Sequence, residues 1–214
     1  MRPEEQRQVV AHQRRRFNEL VDVFDTPQPP EVMERLRQIV SAAKLHQGEV
    51  VLDVGTGVGV LVPLIRLYRP SVILVCDLAE KMLQRVLEKY PEVRTCQADI
   101  AVLSLESASV DAIFMNAMYG NIADKPGALR NAGRMLRPGG RLVVSHPEGR
   151  AFVDQLRVTT DLFIESLPNR EEFQALLNPL GLEVITHRDK PRLYLMVAQK
   201  RRSDEGSNSK RQET

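Results

Sequence analysis

The sequence of 214 residues has no tryptophan, only two cysteines and no long apolar run. Two cysteines cannot form a disulfide scaffold, so we expect free thiols and a cytoplasmic protein. No apolar run approaches the ~20 residues of a membrane span, and the N-terminus lacks the apolar core of a signal peptide. The formal net charge of +2 is too small to indicate nucleic-acid binding. We therefore expect neither a membrane nor a nucleic acid as partner.

What the sequence does contain is an alternation of strand-like and helix-like segments, over a length that fits one domain. The first five predicted strands are 49–54, 72–76, 93–97, 110–115 and 141–145. Two more, Leu182–Thr186 and Leu193–Gln199, are joined by the short polar turn His187–Arg192 and must be antiparallel. The order predicts an α/β fold with a mostly parallel seven-stranded sheet, helices on both faces and a C-terminal antiparallel hairpin.

The most informative stretch is Val-Val-Leu-Asp-Val-Gly-Thr-Gly-Val-Gly at residues 50–59. Its apolar first half predicts a strand that is buried on both faces. Gly55, Gly57 and Gly59 follow at every second position, and residues without a Cβ allow sharp turns and close approach of a ligand. A helix is predicted directly afterwards, to about Tyr68, with its free N–H groups facing the turn. Ligands of such sheets bind where the strand order reverses, which is expected at the end of this strand.

The glycine spacing separates two kinds of nucleotide site. A dinucleotide fingerprint needs G-x-G-x-x-G, and here the third glycine comes one residue early. The pattern Asp-x-Gly-x-Gly-x-Gly from Asp53 to Gly59 resembles the first motif of class I S-adenosylmethionine-dependent methyltransferases. Arg137–Gly140 resembles that family's turn before its fifth strand. The resemblance runs from about Phe17 to Lys200 and implies a Rossmann-like fold, S-adenosyl-L-methionine as cofactor and S-adenosyl-L-homocysteine as product.

The resemblance also implies a role for individual residues. Asp53 would orient the ammonium group of the cofactor's methionine part. Asp77 would bind both ribose hydroxyls, which suits a carboxylate because it accepts two hydrogen bonds, and Asp99 would meet the adenine amino group. The implied cofactor-binding set is Asp53, Gly55, Thr56, Gly57, Gly59, Asp77, Leu78, Met82, Asp99, Ile100 and Asn116. No metal site is predicted.

Several of these residues also have a purely structural interpretation. Asp77 and Asp99 suit the caps of the elements that follow them, and Met82 suits the core. Cys76 and Cys96 are predicted near the ends of neighbouring strands, where buried free thiols are favoured over a redox pair.

The acceptor side of the site is predicted less sharply. The Asn/Asp-Pro-Pro-Tyr motif of amino-nitrogen and nucleic-acid base methylators is absent, which favours a small molecule methylated on O, N or C. His146 is a candidate general base, and Tyr119 is a second candidate catalytic residue. Arg150 is a candidate for gripping an anionic substrate group. Their structural alternatives are a loop histidine bonded to backbone, a covering tyrosine and a surface arginine.

The N-terminal segment, residues 1–46, is predicted to be helical. Val10, Phe17, Val21 and Phe24 share one helical face, which either packs on the domain or covers a ligand as a lid.

The methyltransferase domain is assigned to residues 47–200, and residues 201–214 are predicted to be a disordered tail. Within the domain, residues 147–181 are expected to form two helical pieces broken at Leu167-Pro168. An RNA or protein methyltransferase, and a non-catalytic interaction protein that retains the cofactor fold, are the alternative functions.

Overall fold

The computed structural model describes residues 1–202, in which seven strands form one sheet in the order β3-β2-β1-β4-β5-β7-β6. The strands are β1 (Val50–Val54), β2 (Val72–Asp77), β3 (Arg94–Gln97), β4 (Val110–Asn116), β5 (Leu136–His146), β6 (Leu182–Lys190) and β7 (Leu193–Lys200). The helices are α1 (Pro3–Glu19), α2 (Val21–Phe24), α3 (Pro30–Ala42), α4 (Val62–Arg66), α5 (Glu80–Lys89), α6 (Lys125–Met135), α7 (Gly149–Thr159) and α8 (Arg170–Leu177). Most of the tail predicted at 201–214 lies outside the described residues.

The sheet has the predicted topology. Strands β1 to β5 pair in parallel, and β7 pairs antiparallel with both β5 and β6. The strand order reverses between β1 and β4, so the carboxyl ends of these two strands form the expected ligand edge. Within residues 1–202 no helix is long and apolar enough to cross a membrane.

Helices cover both faces of the sheet. On one face Leu52 of β1 belongs to a buried cluster with Phe173 of α8. On the other face Val51 packs in a cluster with Leu36 of α3 and Ile65 of α4. Because both faces of β1 are buried, its sequence lacks the alternation of a half-exposed strand.

The helix after the glycine turn starts later than predicted. All three glycines have positive φ, from 54° to 82°, which a right-handed helix excludes. Residues 57–61 therefore form turns, and α4 begins only at Val62, with Pro63 in its first turn. With five residues, α4 also ends at Arg66, before the predicted end near Tyr68.

The turn predicted at Arg137–Gly140 is a bulge within β5. The register with β4 jumps from Val110↔Leu136 to Ala112↔Arg141, so the intervening residues leave the regular ladder. The C-terminal hairpin is confirmed as antiparallel, but its strands are longer than predicted and meet at Pro191-Arg192.

The insertion between β5 and β6 is helical over a shorter span than predicted. Helix α7 ends at Thr159, where Thr160 adopts an extended conformation, and α8 begins only at Arg170. Asn169 caps α8 in a reciprocal pair with Glu172. Residues 160–169 form an irregular segment that crosses toward α1, rather than a break confined to Leu167-Pro168.

Candidate active site

A cavity opens at the carboxyl ends of β1, β2 and β4 and, together with the solvent space at its open mouth, includes about 1090 Å³. Two groups of its lining residues are distinguished here. One group, here called the carboxylate wall, consists of Asp53, Gly55, Thr56, Gly57, Asp77 and Asp99. The other group, here called the α1 wall, consists of Val10, Gln13, Phe17, Phe24, Met118, Asn121 and Ile122.

Asp53 is the most deeply buried acid of the carboxylate wall. The residue is 2% exposed, and its Oδ2 accepts a hydrogen bond of 2.8 Å from the Thr56 hydroxyl. Burial raises the pKa of Asp53 to about 7, against the Thr56 hydrogen bond that lowers it, and the charge of Asp77 raises it further. Because burial disfavours its charged form, the Asp53 carboxylate would be stabilised by a cation beside it.

Asp77 links β2 to the glycine turn. Its Oδ2 accepts a hydrogen bond of 2.9 Å from the Gly57 N–H, and its Oδ1 accepts one of 2.9 Å from the Ala79 N–H at the start of α5. Burial raises the pKa of Asp77, while these backbone bonds act against the rise. Asp77 can therefore cap α5 and bind a ligand at the same time, because each carboxylate oxygen has a second lone pair that can accept a hydrogen bond from the ligand.

The three glycines have different surroundings. A Cβ at Gly55 would lie 2.7 Å from the Met118 side chain, whereas one at Gly57 would have open space around it among the described residues. A Cβ at Gly59 would lie 3.1 Å from the Tyr90 ring, and this residue is not among those that line the cavity. Gly59, which the resemblance assigns to cofactor binding, thus allows α5 to pack closely.

The other residues of the predicted cofactor set line the cavity. Asp99 accepts a hydrogen bond of 2.9 Å from the Ala101 N–H, and Asn116 pairs with Ser145 at 3.0 Å. Those lining the cavity without such a bond are Leu78, Met82 and Ile100. Met82 is also part of a buried cluster, so its core interpretation holds as well.

This arrangement suits a ligand that carries an ammonium group and vicinal hydroxyls. Asp53 lies beside the Gly55–Gly57 turn, and Asp77 lies one strand away with unused lone pairs. The absence of a side chain at Gly57 leaves the backbone open to a ligand. The residues present therefore fit S-adenosylmethionine.

His146 lies outside this cavity. It is 8% exposed, its Nδ1 accepts a hydrogen bond of 3.1 Å from the Glu148 N–H, and its ring packs on Phe152. Burial lowers the pKa of His146 to about 4. The structure thus favours the backbone-bonded loop histidine over the predicted general base.

Tyr119 is likewise a core residue. It is 1% exposed and meets Phe173 edge to face at 5.8 Å, and it is not among the residues that line the cavity. Its buried hydroxyl has no hydrogen-bond partner among residues 1–202, and burial raises the pKa of Tyr119. The structure thus favours the covering tyrosine over the candidate catalytic residue.

Arg150 is occupied by structural contacts. Its guanidinium forms an ion pair of 2.8 Å with Asp189, donates to the Pro168 carbonyl at 3.0 Å and also donates to the Leu167 carbonyl. It thereby fixes the segment before α8 to β6, and it does not line the cavity. The prediction that Arg150 grips a substrate anion is therefore not supported.

Cys76 and Cys96 are free thiols that lie opposite each other in the register of β2 and β3.

The N-terminal segment lies beside the cavity and contributes four residues to the α1 wall. Phe17 and Phe24 both line the cavity, with ring centroids 6.1 Å apart, and Phe17 also packs against the buried cluster that contains Val21. That residues 1–25 cover a ligand as a lid stays a prediction. Gln13 was missed as a site residue. Its signal in the sequence is that it lies between Val10 and Phe17 as the one polar residue of an apolar helix face.

Comparisons with known proteins agree with this geometry. Residues 52–144 match the family described as methyltransferase domain. The chain is 32% identical over 131 residues to a probable S-adenosylmethionine-dependent methyltransferase of Mycobacterium tuberculosis, covering 61% of this chain and 47% of that protein. It is 33% identical over 117 residues to malonyl-(acyl-carrier protein) O-methyltransferase of Halorhodospira halophila, covering 53% of this chain and 39% of that protein.

The fold is shared with solved structures. A crystal structure of an S-adenosylmethionine-dependent methyltransferase from Aquifex aeolicus aligns with a TM-score of 0.69 at 19% identity, covering 86% of this chain and 98% of that one. The chain spans less than half the length of the two curated relatives described above. Residues 52–144 thus match the description of a methyltransferase domain, and the seven-stranded sheet built around them has the fold of that solved methyltransferase.

Proposed function

We propose that this protein transfers a methyl group from S-adenosylmethionine to an O, N or C atom of a small molecule. The observation that carries the proposal is the convergence of Asp53, Asp77 and Asp99, from three separate loops and strand ends, on one cavity beside an open glycine turn. Bound S-adenosylmethionine supplies a methyl group already activated by its sulfonium.

The protein's own residues then have positioning roles. Asp53 holds the ammonium group, Asp77 the ribose hydroxyls and Asp99 the adenine amino group. Phe17 and Phe24 close the cavity from the side of α1 and exclude water. Holding the methyl donor and the acceptor in line within a dry chamber is mainly a proximity effect, which is large enough to account for such a transfer.

The cavity lining supports a reaction without a strong protein base. Of the described residues, those that line it include no lysine, arginine, histidine, cysteine or tyrosine. Burial raises the pKa of Asp53 to about 7, but this residue is assigned to the cofactor. An acceptor atom with its own available lone pair suits this site.

A small molecule is favoured over a macromolecule because α1 roofs the chamber. Helix α1 is bonded to α5 through Arg14 and Glu80 at 3.0 Å, and to the irregular segment through Gln13 and the Phe163 carbonyl at 2.8 Å. A folded RNA or protein would have to displace this helix to reach the glycine turn. A cytoplasmic location stays a prediction from the two free thiols.

Equilibrium dialysis with labelled S-adenosylmethionine tests the proposal. The wild type should bind with a Kd in the micromolar range, and Gly57→Val should abolish binding. Gly181→Val is the matched control, because Gly181 has a similar φ of 68°, equally open surroundings and no place in the cavity. Equal loss in both variants, or no binding by the wild type, would contradict the proposal.

A second experiment reads out the transfer itself. Cell extract incubated with methyl-labelled cofactor and wild-type protein should yield a labelled product in the small-molecule fraction, and Gly57→Val should not produce it. Label recovered only in RNA or protein would instead support the alternative function, and binding without any transfer would support a non-catalytic protein.

A further inference from the structure

We propose, on the basis of the proposed function, that Gln13 and Asn121 select the methyl acceptor, which is an uncharged apolar molecule that carries an N–H or O–H group. The two side-chain amides lie in the α1 wall and offer hydrogen-bond acceptors to the chamber. Neither residue belongs to the cofactor set.

The orientation of the Gln13 amide follows from chemistry. Gln13 is 2% exposed, and its Nε2 donates a hydrogen bond of 2.8 Å to the Phe163 carbonyl. A carbonyl oxygen can only accept, so the NH₂ group must face Phe163 and the amide oxygen must face away from it. In the described part of the chain no hydrogen bond to that oxygen is formed, and Gln13 lines the cavity, so the oxygen is free to accept from a ligand.

Asn121 is oriented by the same atom. Its Nδ2 donates to the Phe163 carbonyl at 3.3 Å, so one backbone oxygen holds the amides of α1 and of the turn after β4. Both lone pairs of that oxygen are then in use. The two amide oxygens are therefore presented as a pair of fixed acceptors, and a ligand N–H or O–H is the group that satisfies them.

The charges around the chamber argue against an anionic acceptor. The carboxylate wall contributes three acids, and none of the lining residues within 1–202 is cationic. Lys125, three residues after the lining residue Ile122, donates to the Ile122 carbonyl at 2.8 Å and pairs with Glu165 at 2.6 Å. A carboxylate in the chamber would face like charges and would find no cationic side chain among these lining residues, which opposes binding.

The remainder of the α1 wall determines the shape of the acceptor. Phe17, Phe24, Met118 and Ile122 present aromatic and aliphatic surface. Flat apolar bodies gain most from such surfaces. An aromatic or similarly flat molecule with one donor group matches both features of the wall.

A matched ligand series tests this selection on the unmodified protein. The probes are 2-naphthol, 2-methoxynaphthalene and 2-naphthoate, together with the corresponding phenol, anisole and benzoate. Binding is measured by ligand-observed NMR in the presence of saturating S-adenosylhomocysteine. In both series the hydroxyl compound should bind at least about tenfold more tightly than the methyl ether or the carboxylate, the effect expected for one satisfied buried acceptor.

Variants identify which residue makes the selection. Gln13→Met removes the amide with little change in volume, and the preference for naphthol over its methyl ether should fall to about twofold or less, since the lost hydrogen bond is its source. Gln8→Met is the matched control, because Gln8 is an exposed glutamine of the same helix that does not line the cavity. A thermal melt and the affinity for S-adenosylhomocysteine show that each variant is folded.

The outcomes separate this inference from the proposed function. If S-adenosylhomocysteine does not bind, the proposed function fails. If it binds but the carboxylates bind as well as the hydroxyl compounds, or if none of the six probes binds, the assignment of the acceptor class is wrong. If the preference survives Gln13→Met unchanged, the selection does not reside in the amide.

Discussion

The carboxylate wall and the α1 wall differ in how they are assembled. The first is built from neighbouring strand ends, and its acids are held by local hydrogen bonds, such as that from Thr56 to Asp53, three residues apart. The second depends on contacts between distant parts of the chain, such as that between Gln13 and Phe163, 150 residues apart. The carboxylate wall can therefore be predicted from a local sequence motif, whereas the α1 wall depends on the tertiary structure.

The largest effect expected on the carboxylate wall concerns stability. The folded-state pKa of Asp53, about 7, lies above its ordinary value of 3.8. The stabilisation that this group provides is therefore complete below about pH 4 and is lost as the pH rises through about 7. Asp53→Asn cannot ionise, and its amide oxygen can still accept from Thr56. Its free energy of unfolding should exceed that of the wild type by up to about 4 kcal/mol at pH 8, and the difference should shrink toward pH 4.

Denaturant unfolding of both proteins between pH 4 and pH 8, without ligand, measures this difference. Parallel pH profiles for the wild type and Asp53→Asn would show that burial does not control the acid. The assignment of Asp53 as a buried acid of the carboxylate wall would then be wrong.

The next largest effect concerns ligand affinity. Asp77→Asn keeps the size of the side chain but replaces one acceptor oxygen by an NH₂ group, which faces the N–H of Gly57 or Ala79. The affinity for S-adenosylmethionine should fall about thirtyfold to a hundredfold, as expected for lost hydrogen bonds to a charged group. Asp111→Asn is the control, because Asp111 also accepts a backbone N–H, from Val50, but at the opposite end of the sheet. Calorimetric titration that finds equal losses in both variants would remove Asp77 from the site.

A smaller effect is expected on the α1 wall. Phe17 packs against the buried cluster of Val21, Ala79 and Met82. Phe17→Ala should weaken cofactor binding by about tenfold, because it uncovers apolar surface beside the ligand. Phe152→Ala, at a residue that is 40% exposed and outside the cavity, should leave affinity unchanged. Unchanged affinity in Phe17→Ala as well would mean that α1 packs on the domain without covering the ligand.

The smallest effect is expected for a residue that belongs to neither wall. Tyr119→Phe removes a buried hydroxyl that has no partner within the described part of the chain. Stability should stay the same or rise by about 1 kcal/mol, and the transfer of label in extract should be unaffected. A large loss of transfer, with a normal melting temperature, would restore Tyr119 as a catalytic residue.

The sequence predicted the carboxylate wall well because its determinants are local. Asp53, Gly55 and Gly57 lie within one short motif, and Asp77 marks a strand end that its apolar run identifies. The order of strands also follows from short connections, which permitted the hairpin of β6 and β7 to be assigned as antiparallel.

The sequence failed where position in space is set by distant contacts. His146 and Tyr119 were correctly placed near strand ends, but packing on Phe152 and Phe173 turns them away from the cavity. Arg150 was read as a free charge, while Asp189 of β6 neutralises it across 39 residues of chain. Gln13, in contrast, was missed. A polar residue on an apolar helix face indicates a buried partner, but the sequence does not identify that partner as the Phe163 carbonyl.

The central claim is that the carboxylate wall binds the cofactor and the α1 wall binds the methyl acceptor. A crystal structure with S-adenosylhomocysteine tests this claim most directly. The account predicts the ribose on Asp77, the amino group of the homocysteine part beside Asp53 and the sulfur facing Gln13 and Asn121. Density for the ligand outside this cavity, or with its sulfur turned away from the α1 wall, would contradict it.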